Sequence, residues 1–283
     1  MKHLIAEIFG YVTPITVALL VFAQGLSIAP KQVVAYFREQ PGLMLRSLVA
    51  NLVLAPAAAV ALILLLKPAI GVAAGLAILV AGPPAPLMFK TAPGIGKGNP
   101  AYMESLHLTL ALLAFLTMPV ILSLVSIPLD FHAEIDLGVM AWILGRTILL
   151  PIGAAIAVRA FFPAFADKAA PIVAKIGNIG LVAVVVVVCA ASYRVLLNMD
   201  AWSYLVIALV GAAGLTIGHL AGPPEAHQKT ISAIECGVRH PALALAIGGA
   251  NFGPQKAGAV LIPCVLTIIA VAVVYMIWRG RSR

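Results

Sequence analysis

The sequence predicts an all-α membrane protein with nine transmembrane helices, and three observations predict this fold class. Of its 283 residues, 63% are hydrophobic and only 10% are charged, which is too little polar surface for a water-soluble domain of this size. The hydrophobic residues form runs of about 20, the length at which a helix crosses a bilayer. Runs such as 181–189 are apolar on every side, which excludes the alternating pattern of a membrane β-strand.

Short segments rich in proline, glycine and charged residues separate the apolar runs and mark the turns between predicted helices. Each apolar run between two such segments is one predicted span. The nine spans are Ile5–Ile28, Leu43–Leu66, Ile70–Phe89, Ala101–Ile127, Leu137–Phe161, Pro171–Leu196, Ala201–Ala221, Thr230–Asn251 and Ala257–Trp278.

The basic residues predict the orientation of these spans in the cell inner membrane. The formal net charge is +8, but the bases are scattered in ones and twos, so they indicate topology and not a nucleic-acid partner. An outer N-terminus and a cytoplasmic C-terminus place ten bases inside: Lys31, Arg38, Lys90, Lys97, Arg159, Lys168, Lys229, Arg279, Arg281 and Arg283. Four remain outside: Lys2, Lys67, Arg194 and Lys256.

Two spans are interrupted, and their positions indicate an inverted repeat. Spans two to four and spans seven to nine form triplets that cross the membrane in opposite directions. The middle span of each triplet is broken, at 82–86 (GPPAP) and at 237–241 (GVRHP). Paired breaks of this kind expose backbone groups near the bilayer midplane and predict the binding site of a secondary transporter.

Ionisable residues inside spans are costly and mark candidate functional positions. Glu235 and Arg239 stand four residues apart across the second break, so we expect them to share one helix face and neutralise each other. A purely structural ion pair is the alternative. For Arg146, Lys175 and Arg194, snorkelling to the headgroups explains the charge without a function.

The segment 234–244 (IECGVRHPALA), followed by 250–252 (ANF), resembles the signature helix of the bile acid:sodium symporter family. That family typically has Glu-x-Gly-Met-Gln-Asn, a small residue and then Leu-Ala. Further matches occur in the same order along the chain: Gly25-Leu26 before a Pro-Lys turn, Asn51 before Pro56, the Gly-Pro-Pro segment, and Lys97-Gly98-Asn99.

The resemblance implies a core subdomain, at about 41–127 and 201–280, that rocks against a panel subdomain, at about 1–40 and 128–200. It also implies two sodium sites behind the crossing of the broken helices. The shared carboxylate of those sites corresponds to Glu235, and Cys236 follows it in the signature helix. The family's Gln and Asn after the signature Met correspond to Arg239 and His240.

The other sodium ligands that the resemblance implies fall on residues of different chemistry. The Ser-Asn pair of the first broken helix corresponds to Phe89 and Lys90. The Ser and Thr of the next helix correspond to Met103 and His107, and the Gln of the second site corresponds to Asn51. Sodium prefers hard oxygen ligands, so we expect that transport does not need two sodium ions.

These replacements favour an organic anion as the substrate. A guanidinium at position 239 can hold a carboxylate or sulfonate in bidentate fashion, and Lys90 adds a point charge. Glu235 and Asn51 could still hold one sodium ion. His107 and His240 could instead couple transport to protons, or only hydrogen-bond between helices. No cofactor is expected other than Na+ or H+.

Alternative functions leave other signatures in a sequence. The chain lacks the metalloprotease His-Glu-x-x-His, the Gly-x-Ser-x-Gly elbow and an acidic cluster for Mg2+, so an enzyme is not expected. Arsenite-efflux permeases use a cysteine near the first broken helix, and this chain has none before Cys189. A sodium-independent or proton-coupled carrier or efflux permease, and a locked non-transporting sensor, stay open. We expect a monomer or a weak homodimer in the lipid bilayer.

Overall fold

The computed structural model describes residues 8–28, 30–85, 100–127 and 136–281, and the structural statements below refer to these residues. They form thirteen α-helices and three short π-helical segments. The α-helices are α1 Thr13–Ser27, α2 Pro30–Glu39, α3 Pro41–Val49, α4 Ala55–Leu66, α5 Ile70–Ala81, α6 Pro100–Ser126, α7 Leu137–Leu144, α8 Leu150–Phe161, α9 Pro163–Asn198, α10 Ala201–Ala221, α11 Ala226–Gly237, α12 Pro241–Phe252 and α13 Pro254–Arg281. The π-helical segments are Ile8–Val12, Ala50–Leu54 and Gly145–Leu149.

Seven of the described helical stretches are long and apolar enough to cross a membrane, which confirms an all-helical, multi-pass membrane protein. They coincide with seven of the nine predicted spans: Gly10–Ser27, Pro41–Leu66, Ala101–Val125, Gly138–Phe161, Pro163–Asn198, Ala201–Ala221 and Pro254–Arg281. The other two predicted spans contain the shorter apolar helices α5 and α12. Their predicted breaks make them too short to cross as continuous helices. The total of nine spans and the inverted repeat stay predictions.

Two helical regions lie outside the predicted spans, namely all of α2 and the first turns of α9. Residues 30–39, which the sequence places between two spans, form α2, an amphipathic helix of ten residues. Helix α9 starts at Pro163 and continues through Pro171, where the predicted span begins.

Each of the three π-helical segments ends two residues before a proline, at Pro14, Pro56 and Pro151. Pro56 has no N–H, and its ring would collide with the carbonyl group four residues earlier in an α-helix. The segment Ala50–Leu54 widens the helix at this point, so that the N–H of Ala55 bonds to the carbonyl oxygen of Ala50. The segment Gly145–Leu149 precedes Pro151 in the same way. The segment Ala50–Leu54 contains Asn51 and therefore shapes the candidate site.

The connections at one end of the bundle are held by polar contacts. At this end Asp200 accepts hydrogen bonds from the backbone N–H and hydroxyl group of Ser203 and caps α10. These bonds, the backbone one foremost, hold the pKa of the Asp200 carboxyl below its usual range. The indole N–H of Trp202 donates to the carbonyl oxygen of Leu66 at 2.7 Å. The start of α10 is therefore fastened to the end of α4.

At the opposite end, an arginine closes the C-terminus of α10. Arg46 Nε donates to the carbonyl oxygen of Ala221 at 2.7 Å, and Arg46 Nη2 donates to that of Gly222 at 2.9 Å. Carbonyl groups at a helix C-terminus lack intrahelical partners and attract cations. Arg46 thereby fixes α3 against the last turn of α10, beside the connection to α11.

Helix α11, which carries Glu235, lies unusually close to α10 because α10 presents glycines to it. A Cβ atom on Gly218 would lie 2.3 Å from the carbonyl oxygen of Ser232 and 2.6 Å from the Cβ atom of Cys236. A Cβ atom on Gly214 would lie 3.0 Å from the Cα atom of Gly237. Small residues permit such close backbone contact between membrane helices, so this surface of α10 determines where α11 lies.

We expect Gly218→Ala to lower the free energy of unfolding by about 1–3 kcal/mol, because the added methyl group meets backbone that cannot move aside. Gly153→Ala is the matched control, since nothing lies within 4 Å of a Cβ atom at that position. Thermal unfolding of the purified proteins in detergent measures both variants. Equal stability of the two variants would show that α10 and α11 can separate at little cost.

Candidate binding site at the crossing of two interrupted helices

The two interruptions predicted from the sequence meet and pair with each other. Helix α5 ends at Ala81 and helix α11 ends at Gly237, and extended backbone follows each of them. The His240 N–H donates to the carbonyl oxygen of Pro83, and the Ala85 N–H donates to that of Val238, both at 2.9 Å. This short antiparallel contact, centred on Pro84 and Arg239, satisfies backbone groups that lipid could not satisfy.

The guanidinium group of Arg239 lies at the centre of the crossing. Its side chain is only 6% exposed. Nη1 donates to the carbonyl oxygen of Gly82 at 3.2 Å, and Nη2 donates to that of Asn51 at 3.0 Å. Gly82 directly follows the last residue of α5, where carbonyl groups lack helical partners and favour a cation.

The Asn51 carbonyl group is available to Arg239 because of the π-helical segment before Pro56. In an α-helix it would accept from the N–H of Ala55, but that N–H bonds to Ala50 instead. The next residue, Pro56, has no N–H to offer. Arg239 therefore binds a carbonyl oxygen that the local sequence leaves without a backbone donor.

Glu235 pairs with His107 and not with Arg239. Nδ1 of His107 lies 2.9 Å from Oε1 and 2.8 Å from Oε2 of Glu235, and the exposed fractions of these two residues are 2% and 3%. Within the described part of the chain, Arg239 makes its hydrogen bonds to carbonyl oxygens alone. The expected i,i+4 pair is therefore wrong, because α11 ends at Gly237 and helical periodicity does not reach position 239.

Two buried polar atoms of the predicted site have no hydrogen-bond partner among the described residues. His240 Nδ1 accepts from the Leu243 N–H at 3.3 Å and so caps α12, while its Nε2 is buried and unpartnered. Asn51 Nδ2 donates to the carbonyl oxygen of Ser47 at 3.0 Å, while its Oδ1 is buried and unpartnered. Buried polar atoms of this kind need an explanation. Because Nδ1 of His240 accepts, its Nε2 can donate to a ligand atom, whereas Asn51 Oδ1 can accept a hydrogen bond or bind a cation.

The remaining predicted residues differ in their contacts. Met103 is buried one turn before His107 on α6, and its thioether offers no hard oxygen ligand. The Cys236 thiol donates weakly to the carbonyl oxygen of Ala50 at 3.5 Å. Lys90 and Phe89 lie outside the described residues. The structure thus brings Glu235 to His107 and Arg239 to Asn51, and it joins Cys236 to the same π-helical segment.

Two further residues belong to this polar region and were not predicted. The hydroxyl groups of Ser47 and Tyr102 are 2.9 Å apart and share a hydrogen bond, and Ser47 also accepts from Asn51. The bond from Asn51 goes to the backbone carbonyl oxygen of Ser47, so it does not depend on the serine side chain; a serine inside an apolar span was the only signal in the sequence. Nothing in the sequence near Tyr102 indicated that it contacts the second span.

The space beside Arg239 is closed. A narrow cavity is lined by the first interruption, the π-helical segment and the middle of α6, and no water-sized sphere fits inside it. Both terminal nitrogens of the guanidinium group already donate to carbonyl oxygens. An anion could reach them only after the crossing rearranges.

The fold and this site define an all-helical membrane protein with a buried polar centre where two interrupted helices cross. The family model described as Sodium Bile acid symporter family matches residues 14–199, which is more than half of the chain. The chain therefore belongs to this family, and it is a membrane transporter and not an enzyme. No curated protein matches it.

Glu235→Gln and His107→Asn should each destabilise the protein by about 3–5 kcal/mol, because each leaves a buried partner uncompensated. The double variant should be less destabilised than the sum, with a coupling free energy above about 1 kcal/mol. Unfolding measured for the double-mutant cycle tests this.

The matched control is the corresponding cycle of Glu235→Gln with Arg239→Met. Glu235 and Arg239 do not hydrogen-bond to each other and interact only through space, so the coupling free energy should be smaller than in the first cycle. Strong coupling in this second cycle, together with additivity in the first, would reverse the assignment of the partners.

Proposed function

We propose that the protein is a secondary carrier that moves a small organic anion by alternating access and does not bind two sodium ions per cycle. One observation carries this proposal: the buried guanidinium group of Arg239 bonds to the carbonyl oxygens of Gly82 and Asn51 at the crossing. A cation that belongs to the chain thus takes carbonyl oxygens that a bound ion would need.

The coordination chemistry of sodium argues against two bound sodium ions per cycle. A hard cation needs several oxygen ligands at short distance. Arg239 uses two of the available oxygens and places a fixed positive charge beside any other cation, which is strongly unfavourable at a few ångströms in a medium of low dielectric constant. Met103 supplies no oxygen at the position where the family resemblance implies one.

Glu235 also argues against two-sodium coupling, because its carboxylate is already paired with His107 on another helix. A carboxylate and an imidazole in direct hydrogen-bond contact can pass a proton from one to the other. This contact favours a proton-coupled carrier as the second candidate. Binding of one sodium ion by Glu235 and Asn51 Oδ1 is compatible with the same site once His107 moves.

We further propose that the core moves as a unit against the panel. The residues that meet at the crossing, Asn51, Gly82, His107, Glu235 and Arg239, all come from the proposed core, about 41–127 and 201–280. The N-terminal end of α12 and the ammonium group of Lys90 would favour a negatively charged substrate, and Nε2 of His240 would donate a hydrogen bond to it. Met103 and Cys236 would line the same site.

The proposed orientation has the N-terminus outside and the C-terminus in the cytoplasm. Helix connectivity puts eight described bases at one end of the bundle: Lys31, Arg38, Arg46, Arg159, Lys168, Lys229, Arg279 and Arg281. The opposite end has Lys67, Arg194 and Lys256. Cytoplasmic loops carry the excess of Lys and Arg.

A reporter that is fluorescent only in the cytoplasm should therefore be active when fused to the C-terminus. The matched fusion partner is a reporter that is active only outside the inner membrane, which should be silent at the same position. The reverse result for the two fusions would overturn the orientation.

Sodium should stabilise Arg239→Gln more than the parent protein, because this variant removes the fixed charge and supplies an amide oxygen. The measurement is the melting temperature in NaCl against KCl at equal ionic strength, since an ion that binds only the folded state raises its stability by RT ln(1 + [L]/Kd). Arg194→Gln removes an exposed arginine near the end of α9 and is the control, with the same sodium response as the parent.

Uptake into proteoliposomes tests transport itself, with carboxylates and sulfonates screened under imposed Na+ or pH gradients. Saturable uptake with counterflow and without a sodium requirement supports the proposal. A sodium dependence with a Hill coefficient near two would contradict it, and a complete lack of counterflow for every anion tried would favour a locked sensor.

A further inference from the structure

Helix α2 has an exposed face whose function the transport site does not explain. Its ten residues, Pro30–Glu39, extend over about 15 Å, which is half of what a membrane crossing needs. Tyr36 packs against Tyr102 with ring centroids 6.0 Å apart, and Tyr102 lies in the first turn of α6. Helix α2 is therefore at the level where the spans begin, which is the headgroup region of the bilayer.

The opposite side of α2 carries a shallow, open cleft of about 550 Å3, lined by residues of α2 alone: Lys31, Val34, Ala35, Arg38 and Glu39. Positions 31, 34, 35 and 38 follow the helical spacing and share one face. Val34 is 53% exposed. Lys31 and Arg38 are also exposed, and within the described residues neither has an ion-pair partner. The cleft thus has an apolar floor between two free cations.

We propose that this face of α2 binds an anionic phospholipid of the surrounding membrane, independently of the proposed transport function. The phosphate group would lie between Lys31 and Arg38, which are two turns apart on the helix. The upper part of an acyl chain would cover Val34 and Ala35, as in helices that lie in the membrane interface.

Glu39, the acidic residue of the cleft, restricts which lipid headgroups can bind there. Glu39 can accept a hydrogen bond from a hydroxyl group but repels a second negative charge. A headgroup with one phosphate and free hydroxyl groups, such as that of phosphatidylglycerol, fits this arrangement better than phosphatidic acid. Phosphatidylcholine offers neither a net charge nor a hydroxyl group.

The test is lipid binding by the full-length protein in detergent, measured by native mass spectrometry with phosphatidylglycerol and phosphatidylcholine. The parent should retain phosphatidylglycerol preferentially. The double variant Lys31→Gln/Arg38→Gln should bind it about tenfold or more weakly, since each base near an anionic headgroup contributes appreciably. Lys168→Gln/Arg281→Gln removes the same charges from exposed positions at the same end of the bundle and should change binding less than twofold.

A second variant keeps both bases and tests the same site. Val34→Glu places a carboxylate between Lys31 and Arg38 at an exposed position, so it should weaken phosphatidylglycerol binding to a similar extent without affecting the fold. It decides the outcome if the double variant fails to fold.

Three results would overturn the proposal. The first is equal retention of phosphatidylglycerol and phosphatidylcholine by the parent, and the second is an equal loss of binding in the two double variants, which would indicate diffuse surface charge. The third is displacement of the lipid by glycerol 3-phosphate at comparable concentration, which would indicate a site for soluble phosphates.

Discussion

The contact between Arg239 and two carbonyl groups, Gly82 and Asn51, is the interaction on which the centre of the structure depends. Inside a bilayer, a broken helix exposes backbone groups that neither lipid nor water can satisfy. The two interruptions satisfy some of these groups by exchanging N–H···O bonds. The guanidinium group of Arg239 satisfies two further carbonyl groups, because it donates to Gly82 at the end of α5 and to Asn51 in the π-helical segment. Neither break is self-sufficient, so the site exists only when the distant segments assemble.

This arrangement separates the two buried charges of the signature helix. Glu235 is satisfied by His107, and Arg239 is satisfied by backbone dipoles. A change in the protonation of Glu235 would therefore leave the hydrogen bonds of Arg239 intact. Had the two side chains neutralised each other, any change at the carboxylate would have freed a buried guanidinium group at a high energetic cost. Separate partners make the carboxylate the variable element and the arginine the fixed one.

Seven of the predicted spans and both breaks could be predicted from the sequence, whereas the contacts between them could not. Hydropathy located these membrane helices because lipid burial dominates other preferences, and nearby glycine and proline residues marked both interruptions. The partner of Glu235 could not be predicted, because it depends on where α11 ends and on His107, 128 positions away. Helix α2 was missed since a ten-residue amphipathic helix gives no long apolar run. Local sequence patterns indicate whether a segment faces lipid or water, whereas the contact partner of a side chain depends on the tertiary structure.

A tethered cation has a consequence for the energetics of transport. An ion that binds on one side of the membrane and leaves on the other contributes the free energy of its gradient to the cycle. Arg239 can neutralise the carbonyl oxygens in the same way, but it never dissociates, so its contribution over a complete cycle is zero. A ligand can shift a conformational equilibrium only through different affinities for the two states. Under the proposed function, any accumulation of substrate draws on a species that does leave the site, either a proton at the Glu235–His107 contact or one sodium ion.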